Sequence, residues 1–375
     1  MEESSDDLIQ KILVTKPIKP NIQEFSHYVQ QIIESNWFTN FGKFHNLLQA
    51  RLKSVLGVDN LSLVNNGTSA LIVGIKSLEL PEKSEVITTP FTFAATCHSI
   101  IWNNLVPVFC DIEPNTFTID VNKIESLINK NTSAILGVHV YGYPCNVTKI
   151  KEIADKYGLK VIYDAAHSFG SVLNGKSIGC YGDIVAYSFH ATKLFNTIEG
   201  GAIVSNNQNN LSKIHSLINF GIVDQDNVNS VGINAKLNEV CAAWGLSNLE
   251  SYKEEYEKRK KVYSIYYDSL KNLRNVYVPD FPPNCSNSFQ YFPVLLKNAE
   301  SRELVLHELS IHNIYARKYF SPICSDFLPY NSIKGREFLK VSNDYKNRIL
   351  CLPFYGDIPE HSLNTIIHTI SKFSL

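Results

Sequence analysis

The stretch LSLVNNGTSALIVGIKSLEL, residues 61–80, sets the pattern of this chain: a short apolar run passes through Asn and Gly into a segment whose apolar residues have helical spacing. Similar units begin with EVITTP at 85–90, VPVFCDI at 106–112 and AILGVHVYG at 134–142, and the apolar run KVIYDAA follows at 160–166. Because strands that alternate with helices usually pair in parallel, this order predicts an α/β fold with a mostly parallel sheet and helices on both faces.

The sequence on either side of these units adds helices and a smaller C-terminal part. Residues 22–56 have helical spacing that is interrupted at WFTNFG, 37–42, which predicts two helices joined by a loop. Two closely spaced strands, DIVAYSF and GGAIVSN, precede a long helical stretch after Leu211. We therefore predict a large α/β domain over residues 1–250 and a small α+β domain over residues 251–375.

Composition excludes several classes of protein and of partner. Hydrophobic residues make up 44% of the 375 residues and charged residues 19%, which excludes a disordered chain and a coiled coil. The 35 basic and 36 acidic residues nearly cancel, so we expect neither nucleic acid nor an anionic membrane as a partner. The eight cysteines form no CxxC pair and no zinc-ligand spacing, which predicts reduced thiols and no metal site. The acidic start MEESSDDLIQ does not resemble a signal peptide and no apolar run is long enough for a bilayer, so we expect a cytoplasmic protein.

Polar residues follow several of the predicted strands, at the sheet edge where α/β proteins bind ligands. The first cluster is NNGTSAL, 65–71, where Gly67 leads into a helix that starts with Thr68 and Ser69. Free N–H groups and hydroxyls at a helix start bind phosphate, whereas the alternative is that Thr68 only caps the helix. In the second cluster, TTPFTFAAT, the ring of Phe93 could stack on a flat heterocycle or could belong to the core.

Two further clusters supply an acid and a lysine. In VIYDAAHSFG, 161–170, the strand ends at Asp164, and His167 follows a short turn later. A buried carboxylate there requires a cationic partner such as a protonated ring nitrogen, and the alternative is that it caps a following helix. In SFHATKLFNTIEGG, Ser188 ends a strand and Lys193 follows it. A lysine that is desolvated in a pocket can form a Schiff base, although most lysines are solvated surface residues.

The four clusters become specific in combination. A phosphate-type helix start, an aromatic ring, an acidic strand end and a lysine occur in this order across one α/β domain. Pyridoxal 5'-phosphate (PLP) requires these four parts: a phosphate cradle, a ring to stack on, a partner for the pyridine nitrogen and a lysine for the aldehyde. The combination therefore predicts a PLP site.

With these motifs the sequence resembles the PLP-dependent sugar aminotransferases of the DegT/DnrJ/EryC1/StrS family, from about Thr15 to the C-terminus. Further stretches that carry the resemblance are VPVFCDIEPNTFTID, VHVYGYPC, GINAKLNE and LPFY. The resemblance implies the type I aminotransferase fold, with a large sheet domain and a small C-terminal domain. It also implies a homodimer whose active sites use residues of both chains.

The resemblance implies roles for individual residues. Lys193 would bond to the cofactor and then carry the proton that moves during amino transfer, and Asp164 would keep the pyridine nitrogen protonated. Phe93 would stack on the ring, and His167 would lie near the ring hydroxyl. The residues expected at the phosphate are Gly67, Thr68, Ser69 and Ser188, with Asn234 reaching the phosphate bound by the partner subunit.

The resemblance also concerns the substrate, since members of the family act on nucleotide-linked keto sugars and usually take the amino group from L-glutamate. His190 and Glu199 stand where the branch that acts at C3 more often has a tyrosine–proline stretch and an aspartate. We therefore expect the C4 reaction, from dTDP-4-keto-6-deoxy-D-glucose to dTDP-4-amino-4,6-dideoxyglucose, for O-antigen or glycan assembly. The residues expected at the substrate are Phe38, Lys43, Arg317 and Tyr319.

Four alternatives are weighed against this reading. One is a C3 aminotransferase that acts on a dTDP-linked 3-keto-6-deoxyhexose. A second is a dehydratase of the same family, which would have histidine in place of Lys193, so the lysine argues against it. The third is a non-catalytic regulatory protein that binds PLP or a keto sugar, and it would not need the lysine. The last is a structural α/β protein in which the clusters coincide by chance.

Overall fold

The structure, a computed structural model, describes residues 11–373. The acidic start at residues 1–10, interpreted above as lacking a signal peptide, lies outside the described residues. The strands are β1 Ile12–Leu13, β2 Leu61–Val64, β3 Glu85–Thr88, β4 Val106–Phe109, β5 Thr132–Val138, β6 Lys160–Asp164, β7 Val172–Leu173, β8 Lys176–Ser177, β9 Ile184–Ser188, β10 Gly201–Ser205, β11 Val276–Tyr277, β12 Phe292–Leu296, β13 Ile314–Tyr315 and β14 Ile349–Leu352. The helices are α1 Ile22–Ser35, α2 Lys43–Leu56, α3 Gly67–Ser77, α4 Ala94–Trp102, α5 Val121–Ile124, α6 Val147–Tyr157, α7 Asn209–Leu217, α8 Glu239–Leu270, α9 Ala299–Ile311, α10 Lys340–Arg348 and α11 Glu360–Lys372. Among residues 11–373, no helix combines the length and the apolar character that crossing a membrane requires.

Seven strands form one large sheet in the order β2-β10-β9-β6-β5-β3-β4. Neighbours from β9 to β4 pair in parallel, while β10 runs antiparallel to both β9 and β2. The prediction of an α/β fold with a mostly parallel sheet is thus confirmed. Because the parallel strands all end at one edge, the polar residues that follow them are brought together there.

The large sheet is buried on both faces, since side chains along a strand alternate between its two sides. In β9, Val185 and Tyr187 belong to a core that includes buried residues of α2, α6 and α8. Ile184 and Ala186 belong to a second core that includes residues of α3, α4 and α7. This arrangement of helices on both faces is the one that the alternating sequence units predict.

Asparagine side chains begin many of the helices. Each accepts a hydrogen bond from a backbone N–H two or three residues further along, which satisfies a donor that the first helical turn leaves without a partner. These caps are Asn21, Asn66, Asn146, Asn238 and Asn298. The start of α3, which borders the candidate site, is therefore fixed by the sequence itself.

The C-terminal part has a three-stranded antiparallel sheet in the order β11-β12-β14. A third core lies between this sheet, α9, α11 and the second half of α8. Helix α8 contributes to the first core with its N-terminal half, so the predicted domain boundary at residue 250 falls inside a continuous helix. The division of the chain into residues 1–250 and 251–375 stays a prediction.

Candidate active site

The candidate site lies at the edge of the large sheet where the parallel strands end. Gly201 of β10 pairs with Ser188 on one side and with Val64 on the other, so the residues after β2 and β9 meet across it. A Cβ atom at Gly67 would lie 2.7 Å from the Cβ of Ser188, and one at Gly201 would lie 2.8 Å from the carbonyl oxygen of Asn66. Only glycine permits these approaches, which join the first and fourth sequence clusters.

Helix α3 begins at Gly67, beside Ser188. Asn66 caps this helix, because its side-chain oxygen accepts a hydrogen bond from the backbone N–H of Ser69 at 2.8 Å. The alternative that Thr68 serves only as the cap is therefore wrong: Thr68 lies inside the first turn and its side chain is exposed. The helix start offers backbone N–H groups and the exposed hydroxyl of Thr68 to an anion.

Asp164 is the last residue of β6, and its carboxylate is 6% exposed. It accepts hydrogen bonds from the hydroxyl of Thr96 at 2.7 Å and from the backbone N–H of Ala166 at 3.0 Å. Burial raises the pKa of Asp164, and these hydrogen bonds and the charge of Lys193 act against that rise. Residues 165–170 contain turns and irregular backbone and no helix, so the alternative that Asp164 caps a following helix is wrong.

Lys193 lies in the loop after β9, and its backbone N–H donates to the carbonyl of His190 at 2.8 Å. Burial lowers the pKa of Lys193 to about 8, while the charge of Asp164 acts to raise it. At this pKa about a tenth of the amines are neutral at pH 7, far more than for an exposed lysine. The structure thus places next to a buried acid a lysine that can act as a nucleophile or as a proton carrier.

His167 is buried among aromatic rings. Its Nδ1 accepts a hydrogen bond from the backbone N–H of Tyr141 at 3.1 Å, and its ring forms a T-shaped pair with that of Tyr291, with 4.9 Å between the ring centroids. Burial and then the charge of Lys193 lower the pKa of His167 well below its usual value, so the ring is neutral. Because Nδ1 accepts, the proton of the neutral ring resides on Nε2, which makes His167 a hydrogen-bond donor.

Phe93 and Phe91 have opposite environments although they lie two residues apart. Phe91 is wholly buried, whereas Phe93, the residue before α4, is 62% exposed. The alternative that Phe93 is a core residue is therefore wrong. Its ring is accessible for stacking on a flat ligand.

Two of the four residues expected at the substrate are connected to the lysine through aromatic contacts. The guanidinium of Arg317 lies 5.7 Å from the ring centroid of Tyr319. Tyr319 packs against Tyr291 at 5.6 Å between ring centroids, and the amine of Lys193 lies 5.7 Å from the centroid of that same Tyr291 ring. Arg317 and Tyr319 are thus linked to Lys193 through the ring of Tyr291, and their role at the substrate stays a prediction.

The other expected residues lie on the surface. Phe38 is 51% exposed, and Lys43 is exposed at the first position of α2, where its amine donates to Gln31 at 2.6 Å. Asn234 is exposed, and its backbone carbonyl accepts a hydrogen bond from the side chain of Asn65 at 3.4 Å. None of these contacts tests the roles that the resemblance implies for the three residues.

Several residues at the site have no counterpart in the sequence clusters singled out above. Ser288, Gln290 and Tyr291 come from the segment before β12, and they contact the segments of His167 and Lys193. Thr96, which holds Asp164, is the last residue of TTPFTFAAT, so its place in that motif is the signal that could have identified it. Within residues 11–373, no group of three or more His, Cys, Asp and Glu side chains is arranged to hold a metal ion.

Comparison with known proteins identifies the family. The DegT/DnrJ/EryC1/StrS aminotransferase family matches residues 20–371, which is nearly the whole chain. The chain belongs to this family. Enzymes of the DegT/DnrJ/EryC1/StrS family depend on PLP, and they adopt the type I aminotransferase fold that the sequence predicts.

Relatives and solved structures within the family match the chain over nearly its full length. It is 41% identical to a dTDP-4-amino-4,6-dideoxy-D-glucose transaminase of Shigella dysenteriae over 363 residues, which cover 96% of this chain and 98% of that protein. The enzyme of the same name from Escherichia coli is also 41% identical, and the match covers 97% and 98% of the two chains. A crystal structure of DesI in the presence of its TDP-sugar product superposes with a TM-score of 0.91 at 30% identity, over 97% of this chain and 93% of DesI.

Proposed function

We propose that this member of the DegT/DnrJ/EryC1/StrS family transfers the amino group of L-glutamate to C4 of dTDP-4-keto-6-deoxy-D-glucose. The product would be a dTDP-4-amino-4,6-dideoxyglucose for O-antigen or other glycan assembly. The observation that carries the proposal is the meeting of Lys193, Asp164 and the start of α3 at one sheet edge. The identity of 41% to two enzymes named for this sugar supports the substrate.

The residues at this edge fit PLP, and the fit rests on their chemistry. The approach of Gly67 to Ser188 leaves a cradle that a Cβ atom would fill, and Thr68 and Ser69 lie on its helix start. We assign the phosphate to this cradle. The exposed ring of Phe93 would stack on the cofactor.

Asp164 and His167 would orient the cofactor ring through hydrogen bonds of opposite direction, the first as an acceptor and the second as a donor. The carboxylate of Asp164 is held by two donors and would accept a third hydrogen bond, from a protonated pyridine nitrogen. The neutral His167 would donate from Nε2 to the ring hydroxyl, since its Nδ1 is already an acceptor. When bound, PLP draws electrons away from the carbon that exchanges the amino group, which makes a proton on that carbon acidic.

Lys193 would hold the cofactor and then move the proton. Its pKa of about 8 leaves the amine able to accept a proton from one carbon and to return it to another near neutral pH. The ring of Tyr291, 5.7 Å from the amine, limits the positions the lysine can take and excludes water from one side.

We also propose that two chains form a homodimer with shared active sites. The segment before Asn234 exposes apolar side chains: Phe220 is 51% exposed, Val223 58%, Val228 65% and Val231 87%. Burying them against a second chain would be favourable. In that dimer Asn234 would reach the phosphate bound by the partner subunit, and Phe38 and Lys43 would border the sugar nucleotide.

For the nucleotide sugar, the proposal relies on Arg317 and Tyr319. Arg317 is exposed and its guanidinium suits a diphosphate, whereas Tyr319 lies nearer the lysine and suits a sugar hydroxyl. The Nε2 atom of His190 lies 3.5 Å from a carboxylate oxygen of Glu199, on either side of Lys193 in the sequence. These two residues support C4 over C3 chemistry only through the resemblance.

The deciding experiment follows the visible absorbance of the purified chain loaded with PLP. L-Glutamate should abolish the band of the lysine-bound cofactor, and dTDP-4-keto-6-deoxyglucose should restore it. NMR of the product should place the amine at C4. A band that glutamate leaves unchanged would favour a binding protein, and an amine at C3 would favour the other branch.

A further inference from the structure

The side chain of Gln290 makes two hydrogen bonds to the loop that carries Lys193. Its Oε1 accepts a hydrogen bond from the backbone N–H of Leu194 at 2.7 Å, and its Nε2 donates to the backbone carbonyl of Thr192 at 3.1 Å. The two bonds therefore flank Lys193 on the chain. Gln290 is 2% exposed, so water does not compete for either bond.

The chemistry of the two backbone partners fixes the orientation of the amide. A backbone N–H can only donate and a carbonyl oxygen can only accept, so the oxygen of Gln290 must face Leu194 and its nitrogen must face Thr192. A side chain at this position must offer one acceptor and one donor at the same reach. Leucine offers neither, and an ionised glutamate offers only acceptors.

The backbone on both sides of Gln290 is fixed by hydrogen bonds and by strand pairing. The carbonyl of Phe289 accepts a hydrogen bond from the buried guanidinium of Arg259 at 3.3 Å, and Arg259 pairs with Glu255 at 2.7 Å on α8. The backbone N–H of Phe289 donates to the side chain of Asn287 at 2.6 Å. β12 begins two residues after Gln290 and pairs with β14. Because its backbone is fixed, the side chain of Gln290 can fix the position of the loop to which it bonds.

The same short segment contacts the other side of the site. The hydroxyl of Ser288 donates to the carbonyl of His167 at 2.6 Å, and the ring of Tyr291 contacts both His167 and Lys193. Residues 288–291 thus contact both His167, in the turn after β6, and Lys193, in the loop after β9.

We propose that Gln290 is a positioning residue, which holds Lys193 in place through the backbone on either side of it. The proposal rests on the role of Lys193 as the cofactor lysine. Without Gln290, the backbone on either side of Lys193 loses these two hydrogen bonds and keeps the one from Lys193 to His190, so the amine of Lys193 samples positions away from the reacting carbon.

The experiment compares Gln290→Leu with the wild type as PLP-loaded, full-length protein. Its readouts are the pH midpoint of the cofactor absorbance band, and kcat and KM for the keto sugar. We expect the midpoint to move to higher pH, since a looser loop admits water that stabilises the protonated linkage. We expect kcat to fall by roughly 10- to 100-fold with KM little changed, because the nucleotide sugar is bound elsewhere.

Asn248→Leu is the matched control. Asn248 is also buried, and its amide donates to the carbonyl of Asn196 at 3.1 Å in the same loop, away from the neighbours of Lys193. The midpoint should stay at the wild-type value in this variant. An equal displacement in both variants would mean that general loosening of the loop is responsible, and that result would overturn the proposal.

Gln290→Glu tests the positioning role of Gln290 if Gln290→Leu does not fold. A buried, protonated carboxyl reproduces the acceptor and the donor, whereas the ionised form loses the donor to Thr192. We therefore expect near wild-type kcat at low pH and a loss as pH rises; a kcat–pH profile equal to that of the wild type would overturn the proposal. Borohydride reduction followed by peptide mass spectrometry tests the role of Lys193 separately from that of Gln290. Labelling of another lysine in the wild type would overturn the role of Lys193 itself.

Discussion

In one wall of the site, formed by residues 65–69, 164–167 and 188–193, each functional side chain lies at the end of a strand of the large sheet or in the residues just after it. A second wall, formed by residues 288–291 and 317–320, comes from segments next to the strands β12 and β13, which lie outside the large sheet. The first, the strand-end wall, holds an acid, a lysine and a helix start. The second, the C-terminal wall, offers aromatic rings and side chains that bond to backbone atoms. From this contrast we expect the strand-end wall to carry out the chemistry and the C-terminal wall to position its side chains.

Lys193→Ala tests the chemical role of the strand-end wall most directly. Turnover should fall by roughly a thousandfold or more, since no other amine in the proposed mechanism can bond to the cofactor and carry its proton. The fold should persist, because the lysine is a half-buried loop residue with an unfavourable ionised form. Steady-state kinetics and circular dichroism measure the two effects, with Lys151→Ala on the exposed face of α6 as control. Substantial residual transamination would remove Lys193 from the mechanism.

Asp164→Asn should lower kcat by about a hundredfold or more. An amide accepts the hydrogen bond of Thr96 but is neutral and cannot stabilise a protonated pyridine nitrogen. Asp111→Asn is a suitable control, since Asp111 is a buried carboxylate that accepts from Ser342 at 2.8 Å, outside the site. That control should lose stability and keep its kcat. If Asp164→Asn behaves in the same way, Asp164 has a structural role only.

The two walls also differ in how far the sequence predicts them. Asp164 ends one apolar run and Lys193 comes soon after another, and both runs are predicted as strands, so the sheet topology brings the two residues together once its order is assumed. Ser288 and Gln290 reach their partners from 121 and 96 residues away, through hydrogen bonds to backbone atoms that carry no sequence signature. The exposure of Phe93 beside the buried Phe91 likewise depends on where α4 begins.

Ser288→Ala tests the positioning role of the C-terminal wall. The carbonyl of His167 would lose its donor inside the protein, which should cost about 1–3 kcal/mol of the free energy of unfolding and lower kcat by roughly tenfold. Ser77→Ala removes a similar buried hydroxyl, which donates to Gly74 at 2.8 Å away from the site. It should cost a similar free energy by urea unfolding and leave kcat unchanged. Equal kcat values for the two variants would mean that Ser288 positions nothing.

Phe93→Ala and Phe91→Ala separate binding from packing in the segment between β3 and α4. Phe93 is 62% exposed, so its removal should barely change stability and should weaken PLP binding by about 1 kcal/mol, roughly fivefold. Phe91 is wholly buried, so its removal should cost about 3–5 kcal/mol of stability. Fluorescence titration with PLP and thermal unfolding measure the two quantities. Unchanged PLP affinity in Phe93→Ala would show that the ring is not stacked on the cofactor.

The smallest expected effect concerns the pH dependence of stability that Lys193 causes in the cofactor-free chain. Burial lowers its pKa from the ordinary 10.5 to about 8, so between these two values the unfolded chain binds a proton that the folded chain does not. This group's contribution is therefore unfavourable below pH 8, and the free energy of unfolding rises with pH from about 8 to 10.5. Lys193→Met should add about 1 kcal/mol at pH 7, after allowance for solvent screening, and should remove that rise. Urea unfolding of both chains at pH 7, 8 and 9 measures it, and parallel pH profiles would show that the strand-end wall does not desolvate the amine.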